Sequence, residues 1–484
     1  MPYSSSQEQT IYRHLAGQIQ LGFYDGGARF PSAQEIARKF RVSYCPAQRA
    51  LKALAQAGLV QIGRGKETVV LRKPYEDYLQ SDVFQSRAAA IADLCRSLAI
   101  ISPAVTFQGM CRLHGGPPDA WTPEGCGQIG QWRQLYDLFG RSLAALGSRT
   151  LLGLYYDISA LTESAFLDIM HVTAGEKGGR AFVYQLGEMY LESYQSCQNG
   201  ALPAAKARLE ELNRLFFARI GEYFAQLPPA DGPQTAFAWA PHKGRTRYCD
   251  LIAVDLLCKV RQGRYPLDTR LPHAETLADI YHVSPITIRR AIALLNQLGL
   301  TQTVNGVGTY VRGEGDAATW RKLKALAPDD SLRSFLEALQ LLAITCGPVL
   351  GHTFPHMGAQ ALRDITQAAA LPDANDAVIG AVGACLQAVV RCSPLAAVRE
   401  IYSNLTLLLL NGSVLHLGGL ERAADAEGVA LAQALAKAAA SGDGADFAGA
   451  AGRLAEHLFL ALKSHLTEIG ATEVGPVAAP VHCD

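Results

Sequence analysis

Two adjacent arginines, Arg289 and Arg290, follow Thr287 at the start of a segment with helical periodicity, and the pair Ser284-Pro285 stands just ahead of them. Guanidinium groups offered together in this way can clamp phosphate oxygens or the acceptor edge of a guanine, and a threonine hydroxyl adds a shorter-range contact. A second set lies 241 positions upstream: Ser43, Tyr44, Gln48 and Arg49, then Arg64 and Lys66 in the turn Gly63-Arg64-Gly65-Lys66. The matching turn downstream contains Asn305, Gly306 and Gly308. This is binding chemistry directed at an anionic polymer. The marks of catalysis are missing, with no Gly-Lys-Ser/Thr phosphate loop, no Gly-x-Ser-x-Gly turn and no His-Glu-x-x-His helix. No residue is thereby assigned as nucleophile or general base, and the chain is expected not to be an enzyme.

The elements that must carry these residues are set by an internal repeat. Residues 31–70 align with 272–311 without a gap, 15 of the 40 pairs are identical, and Gly22, Tyr24 and Arg29 match Gly263, Tyr265 and Arg270. In the second copy, Leu251, Ile252, Asp255, Leu256 and Lys259 predict an amphipathic helix over 248–261, one face apolar and one polar. Gly263 stops it. A second helix is expected over 273–281 with Leu277 and Ile280 inward. Val283-Ser284 makes a tight turn in which Ser284 caps a third helix and Pro285 takes its first position, where a missing N–H costs nothing. That helix places Ile288, Ile292 and Leu295 on one side and ends at Gly299; 300–303 and 309–311 read as strands around Asn305-Gly306. The first copy repeats the plan, with a helix over 32–40, Ser43 as cap, a third helix over 46–57 and the turn at 63–66. Three helices and a hairpin wing form a unit whose third helix can enter a major groove.

These residues resemble the GntR family of bacterial transcription regulators. The likeness rests on Arg29-Phe30-Pro31-Ser32, Val42-Ser43 and Gly58-Leu59 in the first copy, and on Arg270-Leu271-Pro272, Val283-Ser284, Gly299-Leu300 and Gly306-Val307-Gly308-Thr309 in the second. It implies DNA binding, with Thr287 and Arg289 at base edges, Arg290 at a phosphate, Gln48 facing a base, and Arg49, Arg64 and Lys66 near the backbone. The departures are specific. Where the family has a basic residue three positions after the leading proline, this chain has Gln34 and Glu275, and a carboxylate there would repel phosphate. The second copy keeps Thr287 and Arg289 in the family positions, and the first keeps neither.

Charge is distributed in the same sense. The chain is neutral, with 44 basic and 44 acidic residues, yet residues 1–73 hold 11 Lys/Arg against 4 Asp/Glu and residues 240–313 hold 10 against 5. The segments between and after the winged domains are rich in Ala and Leu at helical spacing, as in 204–224 and 448–466, and are themselves related. The fold class is therefore mainly α: winged helix-turn-helix domains over 1–75 and 241–313, each followed by an all-helical bundle, over 76–240 and 314–484. Within the family this resembles the FadR-like, or FCD, branch, whose helical domains often hold a metal on one Asp and three His. Little of that set is present, since Leu167 stands where a His is usual. His352 and His356 are separated by Pro355, and His457 alone sits in the last helix, so metal is not expected and no cofactor is assigned. Cys111, His114 and Cys126 lack a fourth ligand, and no Cys-x-x-Cys pair occurs among the 11 cysteines.

No signal peptide and no run of about 18 uninterrupted apolar residues is found, so a cytoplasmic location with reduced thiols is expected. The expected partners are a double-stranded DNA operator and a small-molecule effector, with no membrane. The expected assembly is a one-chain pseudo-dimer, or a homodimer of such chains. The alternative is a winged-helix protein that has lost specific DNA reading and serves as a ligand sensor or interaction module.

Overall fold

A computed structural model of the chain describes residues 7–20, 24, 26–40, 42–63, 67–71, 78–113, 128–162, 165–228, 232–241, 248–261, 263–313, 331–412 and 425–481. Its contacts divide the chain into two compact units, residues 1–241 with 394–400 and 480–484, and residues 242–393 with 401–479.

The first unit begins with α1 (Gln7–Gln20), α2 (Ala33–Phe40) and α3 (Tyr44–Gln56), then the short antiparallel strands β1 (Val60–Gln61) and β2 (Val69–Val70), with Arg29 bridging to Val69. Ile11, Leu15, Ile36, Leu51, Leu54 and Leu59 supply its core. Helix α2 starts where Ser32 and Glu35 cap each other: the Ser32 N–H donates to the Glu35 carboxylate (2.8 Å) and the Glu35 N–H to the Ser32 hydroxyl (3.3 Å). Next come α4 (Asp82–Gln85), α5 (Ala88–Cys111), α6 (Gln128–Ala145), α7 (Arg149–Thr162), α8 (Ala165–Gln198) and α9 (Leu202–Gln226). Helix α8 is broken at Gly175, where φ is 64°. Helices α5 and α6 touch at Gly109, since a Cβ there would stand 2.3 Å from the Ser142 carbonyl oxygen.

Helix α1 serves both parts of this unit. Ile11 and Leu15 enter the winged core, while the Thr10 hydroxyl donates to Asp157 of α7 (3.0 Å) and the His14 ring meets Tyr156 of α7 edge-on at 5.0 Å.

The second unit repeats the winged plan with α10 (Tyr248–Arg261), α11 (Ala274–Tyr281), α12 (Pro285–Gln297), β3 (Thr301–Val304) and β4 (Gly308–Val311), paired antiparallel with Val304 opposite Gly308. Gly263 (φ 73°) and Gly299 (φ 73°) end α10 and α12 in left-handed conformations that favour glycine. Gly22, the match of Gly263, lies outside the described residues.

The expected polar face of α10 is not a solvent face. Every residue from Leu251 to Cys258 is buried, Asp255 included. The reason is a second neighbour: α10 packs on α12 on one side and on the turn Leu410–Gly412 on another. Asp255 is tolerated because the Lys259 ammonium (2.8 Å) and the Tyr281 hydroxyl (2.6 Å) both reach its carboxylate. Burial and that carboxylate hold the Tyr281 phenol well above its ordinary pKa.

The remaining helices are α13 (Ser331–Thr353), α14 (Ala359–Ala369), α15 (Ala374–Cys392), α16 (Ala396–Leu409), α17 (Ala426–Ser441) and α18 (Gly444–Glu468). Helices α13 and α18 approach closely at Gly347, where a Cβ would lie 3.2 Å from the Ala448 carbonyl oxygen. Leu405, Leu407 and Leu408 of the apolar run in α16 are buried. Helix α5 and residues 332–356 are long and apolar enough to cross a membrane by length and composition alone. In the fold each is a packed bundle helix, α5 lying on α6 and α9, and α13 on α18.

Two predictions follow from burial. Leu256 of α10 is fully enclosed, so Leu256→Ala lowers stability by about 2–5 kcal/mol in denaturant unfolding. Burial raises the Asp168 carboxyl of α8 from 3.8 to about 7, so between those values the folded chain binds more protons than the unfolded one. Stability contributed by this group therefore falls as pH rises from about 4 to 7 and is flat above. Asp168→Asn removes that fall, which unfolding midpoints measured at pH 5 and pH 8 will report.

Candidate nucleic-acid interface

Both third helices begin at a serine in extended conformation. Ser284 (φ −67°, ψ 148°) accepts from the Thr287 N–H at 3.3 Å, while Ser43 (φ −68°, ψ 162°) has the same backbone without a side-chain cap bond. The apolar stripes of α3 (Ala47, Ala50, Leu51, Leu54) and α12 (Ile288, Ala291, Ile292, Leu295) are buried. The opposite faces are therefore turned outward. On α3 these are Tyr44, Cys45, Arg49 and Lys52, with Gln48 half-buried; on α12 they are Ile286, Arg289 and Arg290, with Thr287 half-buried. Neither helix contains a carboxylate. The helix starts add the positive end of a backbone dipole to this surface.

Carboxylates reach the arginines from neighbouring helices instead. Glu275 of α11 pairs with Arg289 at 3.0 Å, and Glu8 of α1 with Arg49 at 3.6 Å. A hydrogen bond from a backbone amide, supported by the Arg289 guanidinium, holds the Glu275 carboxyl below its ordinary pKa, so it is ionised at neutral pH. The expectation that Glu275 would simply repel phosphate is thus modified: it holds Arg289 in place and competes with any anion for it. Arg290 has no ion pair among those between described residues.

The second wing is the better anchored. Asn296 of α12 donates to the Thr303 hydroxyl (2.9 Å) and accepts from Thr301 (2.6 Å), and the Thr303 and Thr309 hydroxyls are 3.0 Å apart across the strands. Asn305, Gly306 and Val307 make its turn, with Gly306 at φ 75°. Gly308 (φ 147°) takes a backbone conformation that favours glycine and lies beside the Arg270 guanidinium. In the first copy Glu67 occupies the matching position and pairs with Arg29 at 3.3 Å. Arg64, Gly65 and Lys66 lie outside the described residues. Sequence reasoning missed Lys52, which periodicity puts one turn beyond Gln48, and the Asn296 tie, whose signal is three hydrogen-bonding side chains between helix and wing.

The expected histidines do not converge. His352 ends α13 and His356 ends the short turn Phe354–His356, their rings 6.3 Å apart. His457 of α18 instead faces Asp425 (2.9 Å), the cap of α17. Among the described residues no group of three or more His, Cys, Asp or Glu stands where it could hold a metal ion. His114 and Cys126 lie outside the described residues, as does the Leu167 side chain, whereas Cys111 sits with Sγ 3.6 Å from that of Cys197.

Against known families, the model for bacterial regulatory proteins of the gntR family matches twice, over residues 7–70 and 250–311. Both segments are GntR-family domains. The matches cover the winged helices and strands of each copy and support a DNA-binding transcription regulator. No curated protein matches the chain. Among solved structures, "Streptococcus agalactiae GntR" is 16% identical over 44% of this chain and 99% of its own, with a TM-score of 0.21. A GntR-family transcriptional regulator from Pseudomonas syringae pv. tomato str. DC3000 is 16% identical over 46% of this chain and 88% of its own, also with a TM-score of 0.21.

If Glu275 competes for Arg289, then Glu275→Gln removes the competing charge while keeping the side-chain shape. Affinity of the full chain for DNA is expected to rise severalfold, with a steeper dependence on salt, in fluorescence anisotropy titrations. An unchanged or weaker affinity would mean that Arg289 is positioned by Glu275 rather than restrained by it.

Proposed function

We propose that this chain is a transcription regulator that reads DNA through two unlike GntR-type domains joined in one polypeptide, with the helical segments sensing a small molecule. The observation that carries the reading is the duplicated pair α3 and α12, each with a buried apolar stripe and an outward face bearing Arg49 and Lys52, or Arg289 and Arg290. In this reading Arg289 and Thr287 meet base edges and Arg290 a phosphate. In the first copy Gln48 faces a base, with Ser43, Tyr44, Arg49, Arg64 and Lys66 nearer the backbone. Ser284, Asn305, Gly306 and Gly308 shape the cap and wing of the second.

The proposal extends to architecture. Winged domains occupy 1–75 and 241–313, and effector-type bundles 76–240 and 314–484, the bundles being related to the FadR-like branch by their all-helical make-up. Regulators with two identical readers favour palindromes because protein symmetry mirrors operator symmetry. Two readers with different recognition faces favour an asymmetric operator, bound by a monomeric pseudo-dimer or by two chains, in the cytoplasm. The competing reading, winged domains kept as packing modules, draws on the carboxylates that hold Arg49 and Arg289.

Selection of genomic fragments by the purified chain separates the two. A site bound far better than random DNA, with affinity falling steeply in salt, supports the regulator. Arg289→Ala then costs about 1–3 kcal/mol in binding and relaxes preference at one position. Weak binding without preference supports the packing-module reading, and a perfect palindrome bound by one chain overturns the asymmetric operator.

A further inference from the structure

The bundle of the first unit is not solid. Helices α5 to α9 line, together with α1, a partly open cavity of about 190 Å3. Its walls are aromatic: Trp132 of α6 stacks on Phe216 of α9 (centroids 5.8 Å apart, planes 26°), Phe166 of α8 meets Phe216 edge-on (5.8 Å, 88°), and Tyr155 of α7 closes another side. No Asp, Glu, Lys or Arg is among the residues that line it. A carboxylate or ammonium entering this space would lose its hydration and meet no carboxylate, ammonium or guanidinium of opposite charge on the wall. An aromatic ring would meet both faces and edges of the rings already there. An apolar cavity of roughly 150 Å3 is large enough to take up benzene, so this one admits a substituted ring or two fused rings.

Hydroxyl, amide and imidazole groups interrupt the aromatic wall, and among them Asn213 gives the site a direction. Asn213 of α9 commits its amide nitrogen to the Leu209 carbonyl oxygen (2.8 Å), which leaves its Oδ1 to accept a hydrogen bond. The wall formed by α1 consists of His14, Gly17 and Gln18. These residues also touch the winged domain: the His14 ring meets Phe40 at the end of α2 (5.2 Å), and Gln18 Oε1 accepts from the Tyr24 hydroxyl (3.4 Å) and the Lys39 ammonium (3.5 Å).

We propose that this cavity is a binding site for a small, uncharged aromatic molecule bearing one hydrogen-bond donor, which rests against Asn213 on one side and against α1 of the winged domain on the other. The inference rests on the sensor reading above and gives it a place and a ligand class. A molecule filling the space against His14 and Gln18 acts on side chains that touch Phe40, Tyr24 and Lys39. It changes DNA affinity to the extent that it binds two settings of α1 unequally.

The test is calorimetric titration of the full chain with indole, naphthalene and benzoate. Indole is expected to bind saturably at one site per chain, and benzoate at least about tenfold more weakly, as an unpaired buried charge requires. Asn213→Leu, of similar volume, should weaken indole by about tenfold, the worth of one hydrogen bond, and leave naphthalene unchanged. Leu98→Trp, which fills the cavity from α5, should abolish both, with circular dichroism and thermal melting showing that the variant is folded. The proposal is overturned if neither indole nor naphthalene binds saturably, if folded Leu98→Trp binds as well as the parent, or if benzoate binds as tightly as indole. DNA titrations with and without saturating indole then judge the sensor reading separately: binding at the cavity with DNA affinity unchanged leaves the site standing and ends that reading.

Discussion

The constraint on which each unit depends is that the leading helix of its winged domain has no solvent face to spare. In a free-standing winged domain α1 or α10 would pack on the core with one stripe and meet water with the rest. Here the second stripe is covered as well, α1 by α7 and α10 by the Leu410–Gly412 turn. Positions 241 apart solve the same problem in different ways. His14 lies among aromatic rings, Phe40 and Tyr156. Asp255 is buried as a charge and is held by Lys259 and Tyr281, the latter at the position matching Phe40. Removing one partner from such an ionic set leaves an uncompensated charge.

The two readers are correspondingly unequal. In the second copy the Asn296, Thr301, Thr303 and Thr309 side chains knit the recognition helix to the wing. The first copy has Ala55, Val60 and Ile62 at the first three of those positions, and its strands are two residues long. The carboxylates beside Arg49 and Arg289 lie at the surface, where ion pairs are weak and yield readily to a phosphate or a guanine edge.

What was legible in the sequence is what is local. Ser284 with Pro285, the left-handed glycines at 263 and 299, the Asn305-Gly306 turn and the buried stripe Ile288, Ile292, Leu295 each depend on residues within a few positions, and each was readable. The failure at α10 is equally physical: periodicity reports which residues differ in polarity, and it cannot report that a second partner will cover the polar side. The Glu275–Arg289 pair joins two helices 14 positions apart, and the thiols of Cys111 and Cys197 are 86 apart. The cavity requires six helices to be in place before it exists, so its lining has no signature in any one segment.

Duplication frees the two copies to use the same helix differently. Most identities between the copies fall on caps, glycines and core positions, with Arg49 and Arg290 the shared pair on the outward face of the third helix. The face of the leading helix turned away from that core is where they part: His14, Gly17 and Gln18 correspond to Asp255, Cys258 and Lys259. An uncharged aromatic molecule tolerated beside an imidazole and an amide would, beside a carboxylate and an ammonium, have to displace an ion pair that keeps both charges satisfied. Joining the copies in one chain removes the demand that both faces serve the same end. One face can then be kept as structural ionic glue while the other borders an apolar space.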